Sequence, residues 1–149
     1  MIEENDQSGF GERPQAGFSN VLDSRVAFYR FALTIYDFRC AISGLRFAPQ
    51  EQVLHDRLDV VPIHPRELGG PLEIGNVLVL ESGLAALFGQ GLITASDDGL
   101  VVVPRPEKLS AEQREMVVPG RELLLPLDPL FQPLAKHLHF HRLTIAQYQ

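Results

Sequence analysis

Three of the five histidines stand close together in the C-terminal segment, at a spacing that suits metal binding. His137, His139 and His141 alternate along the chain, and in a β-strand alternate side chains lie on one face. A strand would therefore present three imidazoles to one metal ion. A helix beginning near Asp128 and Pro129 would instead stack His137 and His141 one turn apart. In that helix these two are the metal-binding candidates, but no carboxylate or third ligand at helical spacing completes a catalytic zinc site.

The most regular stretch of the sequence, Leu58 to Gly91, predicts two strands followed by a helix. Two apolar runs rich in β-branched residues flank Gly69-Gly70-Pro71, a sequence that is typical of a turn. Ser82 is placed to cap a short apolar helix, and the glycines at 89 and 91 are placed to end it. The stretch therefore predicts a compact β-turn-β-helix unit.

This stretch resembles the ββα-metal core of the HNH endonuclease family, in which a hairpin and a helix hold one metal ion. The positions that match the family pattern without a gap are Leu58, Asp59, Ile63, Pro65, Gly69, Gly70, Pro71, Asn76, Leu78, Leu80, Leu87, Phe88 and Gly91. Residues 36–44 and 120–126 are also similar to family segments, so the resemblance spans about residues 25–142. The His141-Arg142 pair matches the pair that closes the family's last helix, which favours the helix in the C-terminal segment.

The sequence departs from the family at the positions that carry its chemistry. Where the family has a strand histidine and a helix histidine, this chain has Pro62 and Ala85, and the aspartate that follows in the helix is Gly89. In the family the strand histidine is the general base, the helix histidine helps to bind the metal, and the asparagine, here Asn76, orients the base. Proline and alanine can neither accept a proton nor bind a metal. No catalytic residue and no metal cofactor are therefore expected, and Asn76 is expected to tie down the hairpin backbone.

A displaced active site is the alternative that the sequence leaves open. His64 lies two residues after Pro62, and in a regular strand both side chains would lie on the same face. His64 would then be the general base of a metal-dependent HNH endonuclease, with Asn76 and Asp59 as the remaining polar candidates. However, Pro62 and Pro65 flank His64 and interrupt regular strand pairing, which favours a loop histidine.

The segments around this stretch predict the rest of an α+β domain. Residues 1–21 are acidic and contain several glycines, and we expect a flexible lead before a single HNH-like domain over residues 22–149. Apolar residues at helical spacing predict an N-terminal helix over residues 24–38. The remaining predicted elements are a β-hairpin around Asp97-Asp98-Gly99, a capping box at Ser110 and Gln113, a strand over residues 120–126 and the C-terminal helix.

Charge and composition restrict the partners. The formal net charge is −6, and only two of the thirteen basic residues are lysines. An acidic chain repels DNA, whose affinity for proteins comes mainly from cations that neutralise phosphates. A local arginine patch is the remaining route to DNA, and the candidates for nucleic-acid contacts are Arg25, Arg30, Arg39 and Arg121. The single Cys40 excludes an internal disulfide and a four-cysteine zinc site, so we expect a buried thiol in a cytoplasmic protein.

The sequence as a whole predicts a function in binding. No apolar run is long enough to span a bilayer, so no membrane partner is expected. The apolar fraction of residues 77–88 and 123–134 exceeds what one small core needs, which favours a homodimer. The resulting interpretation is a catalytically degenerate, HNH-nuclease-like protein that acts as a DNA-associated regulatory or protein-interaction module, with a protein or DNA as its partner.

Overall fold

The structure is a computed structural model that describes residues 14–149, with side chains from residue 24 onward. The chain divides into two compact units, Met1–Phe31 and Ala32–Gln149. Helix α1, Pro14–Ile35, forms the described part of the first unit and ends in the second. Of the lead predicted over residues 1–21, residues 1–13 lie outside the described residues and residues 14–21 belong to α1.

Helix α1 ends at Ile35, earlier than the sequence predicted. Asp37 and Phe38 have φ angles of 58° and 53°, a left-handed conformation that cannot continue a right-handed helix. Between them and the helix lies Tyr36, which is buried and donates its hydroxyl hydrogen to the carbonyl of Val77 at 3.1 Å. Burial raises the pKa of the Tyr36 hydroxyl, so this group stays protonated and remains a donor.

A short loop after α1 holds the single cysteine. Arg39 and Arg46 pair across this loop in an isolated antiparallel bridge. Cys40 is fully buried, and its Sγ accepts the backbone N–H of Ser43 at 3.4 Å. The thiol is therefore a small buried side chain, as the sequence predicted.

The predicted β-turn-β-helix unit is present in the second unit of the chain. Strand β1, Leu58–Pro62, pairs antiparallel with strand β2, Val77–Glu81, and helix α2, Ser82–Gly89, follows directly. The first four residues of β2 are all buried, which is the pattern of a strand that is covered on both faces. The buried apolar side chains of this unit are Leu58, Ile63, Val77, Leu78, Val79, Leu80, Leu84, Ala85, Leu87 and Phe88.

The cap of helix α2 differs from the prediction. Glu81, not Ser82, is the capping residue, and its Oε1 accepts the N–H groups of Gly83 and Leu84 at 2.9 and 3.2 Å. The strand runs directly into the helix, so its last residue occupies the capping position and Ser82 becomes the first helical residue. A carboxylate at this end also interacts favourably with the helix dipole.

The turn between β1 and β2 contains two 3₁₀ segments, Arg66–Leu68 and Ile74–Asn76. Gly69 adopts a φ of 93°, and a Cβ added there would meet nothing within 4 Å. Gly70 is different, because a Cβ added to it would lie 1.8 Å from the carbonyl oxygen of His64. This close approach of two backbone segments holds the turn in its shape.

We expect Gly70→Ala to lower the free energy of unfolding by about 3 kcal/mol, because only a backbone shift can accommodate the new methyl group. Gly69→Ala is the matched control, and its left-handed φ predicts a loss of about 1–2 kcal/mol without a clash. Urea denaturation of both variants measures the difference. Equal losses would mean that the turn relaxes around the Gly70 methyl group, against this prediction.

The predicted hairpin at Asp97-Asp98-Gly99 is confirmed, with strands β3, Thr94–Ala95, and β4, Val101–Val102, and a φ of 83° at Gly99. Helix α3, Ala111–Met116, begins at the predicted capping box of Ser110 and Gln113.

The prediction of a strand over residues 120–126 is wrong, since this segment forms only an isolated bridge between Leu100 and Glu122. Its N–H groups donate to carbonyls in different parts of the chain, those of Val101, Val118, Gly99 and Ala41.

The C-terminal histidines lie in a helix, so the strand alternative is wrong. Helix α4, Ala135–Phe140, continues into a π-helical turn over His141–Ile145. The helix begins later than predicted, and Pro129–Phe131 forms only a 3₁₀ turn. Pro133 explains the delay, because proline lacks an N–H group and disfavours helical geometry in the residue before it.

The apolar residues expected at a dimer interface are divided between core and surface. Residues 77–88 are mostly buried within the chain, which corrects the expectation that they leave apolar surface over. Leu127 and Leu130 are 99% and 82% exposed, and Leu134 is 44% exposed.

The described helices are all too short or too polar to cross a bilayer. The fold class is α+β, as the sequence predicted.

Candidate functional site

The two positions that correspond to the family histidines hold no reactive group. Pro62 is the last residue of β1 and lies opposite Val77 in the ladder, a strand end where the missing N–H of proline is tolerated. Ala85 lies in the middle of α2 and is only 7% exposed. Gly89 is the exposed last residue of the same helix. Glu81, the carboxylate just before this helix, is engaged as the α2 cap.

Asn76 is a structural residue that ties the β1–β2 turn together. Its side chain is fully buried. Oδ1 accepts the backbone N–H of His64 at 2.8 Å, while Nδ2 donates to the carbonyls of His64 and Pro71 at 3.0 and 2.9 Å. The amide group is thus used on both sides by the main chain, which confirms the expected role in tying down the hairpin backbone.

His64 lies just beyond the regular ladder, which ends at Pro62, so strand alternation does not place the two side chains on one face. Its Nε2 lies 2.8 Å from the carbonyl oxygen of Leu68, and its ring stacks on Phe140 with 3.7 Å between centroids. A carbonyl can only accept, so Nε2 carries the proton and Nδ1 the lone pair. Asp59 is exposed on β1, where Oδ1 lies 3.2 Å from the hydroxyl of Ser82 at the start of α2.

The structure brings His64 together with His137 and Phe140, two residues of helix α4. His137 of α4 is buried, its Nε2 lies 3.4 Å from Oε1 of Glu73, and its ring centroid lies 6.1 Å from that of His64. The sequence gave no signal for Glu73 or Phe140, because contacts between the turn and α4 join residues more than sixty positions apart. Within the described residues, no three His, Cys, Asp or Glu side chains form a ready-made metal site.

His137 and His141 lie on one helical surface, but their rings have different surroundings. The His141 ring is fully buried and stacks on Phe88 with 3.8 Å between centroids. Its Nε2 donates to the carbonyl of Phe88 at 2.8 Å, and its Nδ1 accepts the hydroxyl of Thr94 at 2.7 Å. Burial lowers the pKa of His141 to about 4, so the ring is neutral near pH 7. Both nitrogens are engaged, so a metal shared by His137 and His141, the pair predicted from helical spacing, does not fit this geometry.

His139 lies on the exposed side of α4 in a small polar network. Its Nδ1 lies 3.2 Å from the guanidinium of Arg142, and Arg142 donates to Oδ1 of Asp97 at 2.8 Å. The hydrogen bond from Arg142 lowers the pKa of the Asp97 carboxyl. This network joins the β3–β4 turn to the C-terminal helix, so it supports the fold rather than a site.

The four candidate arginines are distributed between the two units. Arg25 and Arg30 are exposed on α1 in the first unit. In the second unit Arg121 is exposed, and Arg39 is half-buried in its bridge with Arg46. The positive charge near Arg39 is reduced, because the guanidinium of Arg46 lies 2.6 Å from the carboxylate of Asp37.

Comparison with solved structures identifies a neighbour of this fold. The chain is similar to a modification-dependent TagI restriction endonuclease, with a TM-score of 0.55 and 21% sequence identity over 82% of this chain. The similarity is one of fold, to part of that endonuclease. The match covers only 37% of the neighbour, so this chain spans little more than a third of its length. No protein-family model and no curated protein matches the sequence.

Proposed function

We propose that this protein is a catalytically inactive, HNH-like module that functions by binding, in DNA-associated regulation or protein interaction. The proposal rests on the residues at the three positions where the sequence resemblance places the HNH signature, which here are Pro62, Asn76 and Ala85. Pro62 and the buried Ala85 have no group for catalysis, and Asn76 has its whole amide engaged with the main chain. A general base alone is typically worth about 10²–10⁴-fold in rate, and loss of the metal removes further stabilisation of the transition state.

The association with DNA rests on the fold and on the name of the neighbour, a restriction endonuclease. Fold by itself does not determine function, so the charge of this chain decides between partners. A net charge of −6 favours a protein partner. The exposed Leu127, Leu130 and Leu134 are apolar surface that a second copy of the chain or another protein would cover, consistent with a homodimer.

The proposed function excludes cleavage of DNA by this protein. We expect purified protein to leave supercoiled plasmid intact with Mg²⁺, Mn²⁺, Ni²⁺ or Zn²⁺, at the level of a protein-free control, because Pro62 and Ala85 supply neither a general base nor a metal ligand. Agarose electrophoresis of nicked and linear plasmid measures this. Metal-dependent nicking that disappears in His64→Ala would contradict the proposal and support the displaced endonuclease site with His64 and Asn76.

Binding assays separate the two kinds of partner. Fluorescence anisotropy with a labelled duplex at several salt concentrations tests for DNA, since phosphate contacts by arginine make the affinity fall steeply with salt. Arg121→Ala and Arg39→Ala test the candidate contacts in the second unit. Absence of salt-dependent DNA binding would leave the protein-interaction function as the proposal, and sedimentation measures the expected homodimer.

A further inference from the structure

Three exposed leucines, Leu127, Leu130 and Leu134, follow one another closely before helix α4. The 3₁₀ turn that contains Leu130 packs against the 3₁₀ segment Ile74–Asn76. Leu134 donates its backbone N–H to the carbonyl of Gly75 in that same segment, at 2.9 Å. Leu130 and Leu134 thus belong to parts of the chain that rest on one support. We call the three side chains together the leucine surface.

The backbone beneath the leucine surface is held in one conformation. Oδ1 of Asp128 accepts the N–H of Leu130 at 3.0 Å, and Nε2 of Gln132 donates to the carbonyl of Pro126 at 2.8 Å. Prolines of the same segment restrict its φ angles further. A segment that is already ordered loses little conformational entropy when a partner binds. The exposed leucines are therefore preorganised for docking.

Opposite charges flank the two leucines nearest to helix α4. The exposed Asp128 precedes Leu130, and the exposed Lys136 follows Leu134. In the part of the chain that the structure describes, neither charged side chain forms an ion pair. A chain of net charge −6 repels its own copies, so self-association needs a surface on which the charges balance. The leucine surface has this property.

We propose that the leucine surface is a two-fold interface with a second copy of this chain. In a two-fold dimer the same surface faces itself in reverse, so Asp128 of each copy lies opposite Lys136 of the other. The leucines then cover one another between these two ion pairs. Three leucines supply less than the roughly 800 Å² per partner of a standard interface, so we expect a reversible dimer with a micromolar Kd. This proposal rests on the binding function proposed above and names its partner.

Sedimentation equilibrium of the full-length protein over a range of concentrations tests the apolar part of the interface. We expect a monomer–dimer equilibrium in the wild type. Leu130→Ser should raise the dimer Kd at least about tenfold, because a leucine is lost from both copies. Leu54→Ser is the matched control, since Leu54 is a leucine that is 67% exposed outside this segment, and it should keep the wild-type Kd.

Charge reversal tests the two-fold pairing itself. Asp128→Lys alone places two lysines opposite each other at each contact, and Lys136→Glu alone places an aspartate opposite a glutamate. A mixture of the two variants restores opposite charges at both contacts. We expect the mixed dimer to be about tenfold tighter than either variant alone at low salt, with a smaller difference at high salt. Sedimentation with one variant carrying a fluorescent label measures the mixed dimer.

Three outcomes would overturn the interface: a monomer at every concentration, a dimer that Leu130→Ser leaves unchanged, or assembly beyond the dimer, which indicates head-to-tail contacts. Asp128→Lys also removes the cap on Leu130, so Leu130→Ser and Lys136→Glu decide the question if that variant misfolds. The interface and the proposed function fail separately. A monomeric protein that leaves plasmid intact would overturn the interface alone, and a dimer that nicks plasmid would overturn inactivity alone.

Discussion

We expect the replacement of Asn76 with alanine to lower the free energy of unfolding by about 3 kcal/mol or more, and urea denaturation measures this loss. The substitution removes three part-buried hydrogen bonds of the β1–β2 turn. It leaves the N–H of His64 and the carbonyls of His64 and Pro71 without their partner. Each buried polar group left unsatisfied typically costs about 1–3 kcal/mol, and water entering the turn reduces the sum. The expected effect is among the largest that a single substitution in this chain can produce.

Two further variants show whether the loss comes from the hydrogen bonds. Gln132→Ala removes one side-chain hydrogen bond, from Nε2 to the carbonyl of Pro126 at 2.8 Å, and should cost only about 1 kcal/mol. Asn76→Asp keeps the acceptor for His64 but loses both donor contacts and adds a buried charge, so it should be as damaging as Asn76→Ala. A loss below that of Gln132→Ala would contradict the structural role of Asn76 and return it to the candidates for catalysis.

We expect the stability of the protein to fall by about 3 kcal/mol through the single residue His141 as the pH is lowered from 6.5 to about 4. The ring is buried and binds its proton in the folded state only near pH 4, while in the unfolded chain it does so near 6.5. Between these values the unfolded state holds more protons than the folded state, so acid favours unfolding. Each pKa unit corresponds to about 1.4 kcal/mol. This loss of stability is complete below the pKa of His141 in the folded state and absent above its pKa in the unfolded state.

Denaturation at a series of pH values measures this effect, and the contribution of His141 is the difference in slope between the wild type and His141→Gln. The variant is less stable at pH 7, because the Thr94 hydroxyl loses its acceptor and the stack on Phe88 is lost. Its stability should nevertheless depend less on pH between 6.5 and 4. His139→Gln, the loss of an exposed histidine, should retain the wild-type fall because His141 is intact. Parallel curves for the wild type and His141→Gln would contradict the prediction.

Local sequence signals predicted most of the elements. Two apolar runs rich in β-branched residues around the Gly69-Gly70-Pro71 turn predicted β1 and β2, the apolar run after them predicted α2, and the Asp-Gly turn predicted the β3–β4 hairpin. The predictions that were wrong depended on competition for hydrogen bonds. Residues 120–126 have the composition of a strand, but in the folded chain their N–H groups donate to carbonyls in different segments, those of Val101, Val118, Gly99 and Ala41. The helix that should have begun near Asp128 is delayed by Pro133.

The sequence by itself determined what this protein lacks, because a missing functional group is visible at a single position: Pro62 and Ala85 cannot act as base or ligand in any fold. Only the tertiary structure decided what the remaining polar residues do. His137 and His141 share a helical surface, yet one lies beside Glu73 and the other is enclosed by Phe88 and Thr94. Those partners lie 47 to 64 residues away along the chain. The protonation and ligand capacity of an imidazole depend on burial and on the groups that face it, and both are set when α4 packs against the β1–β2 turn, β3 and α2.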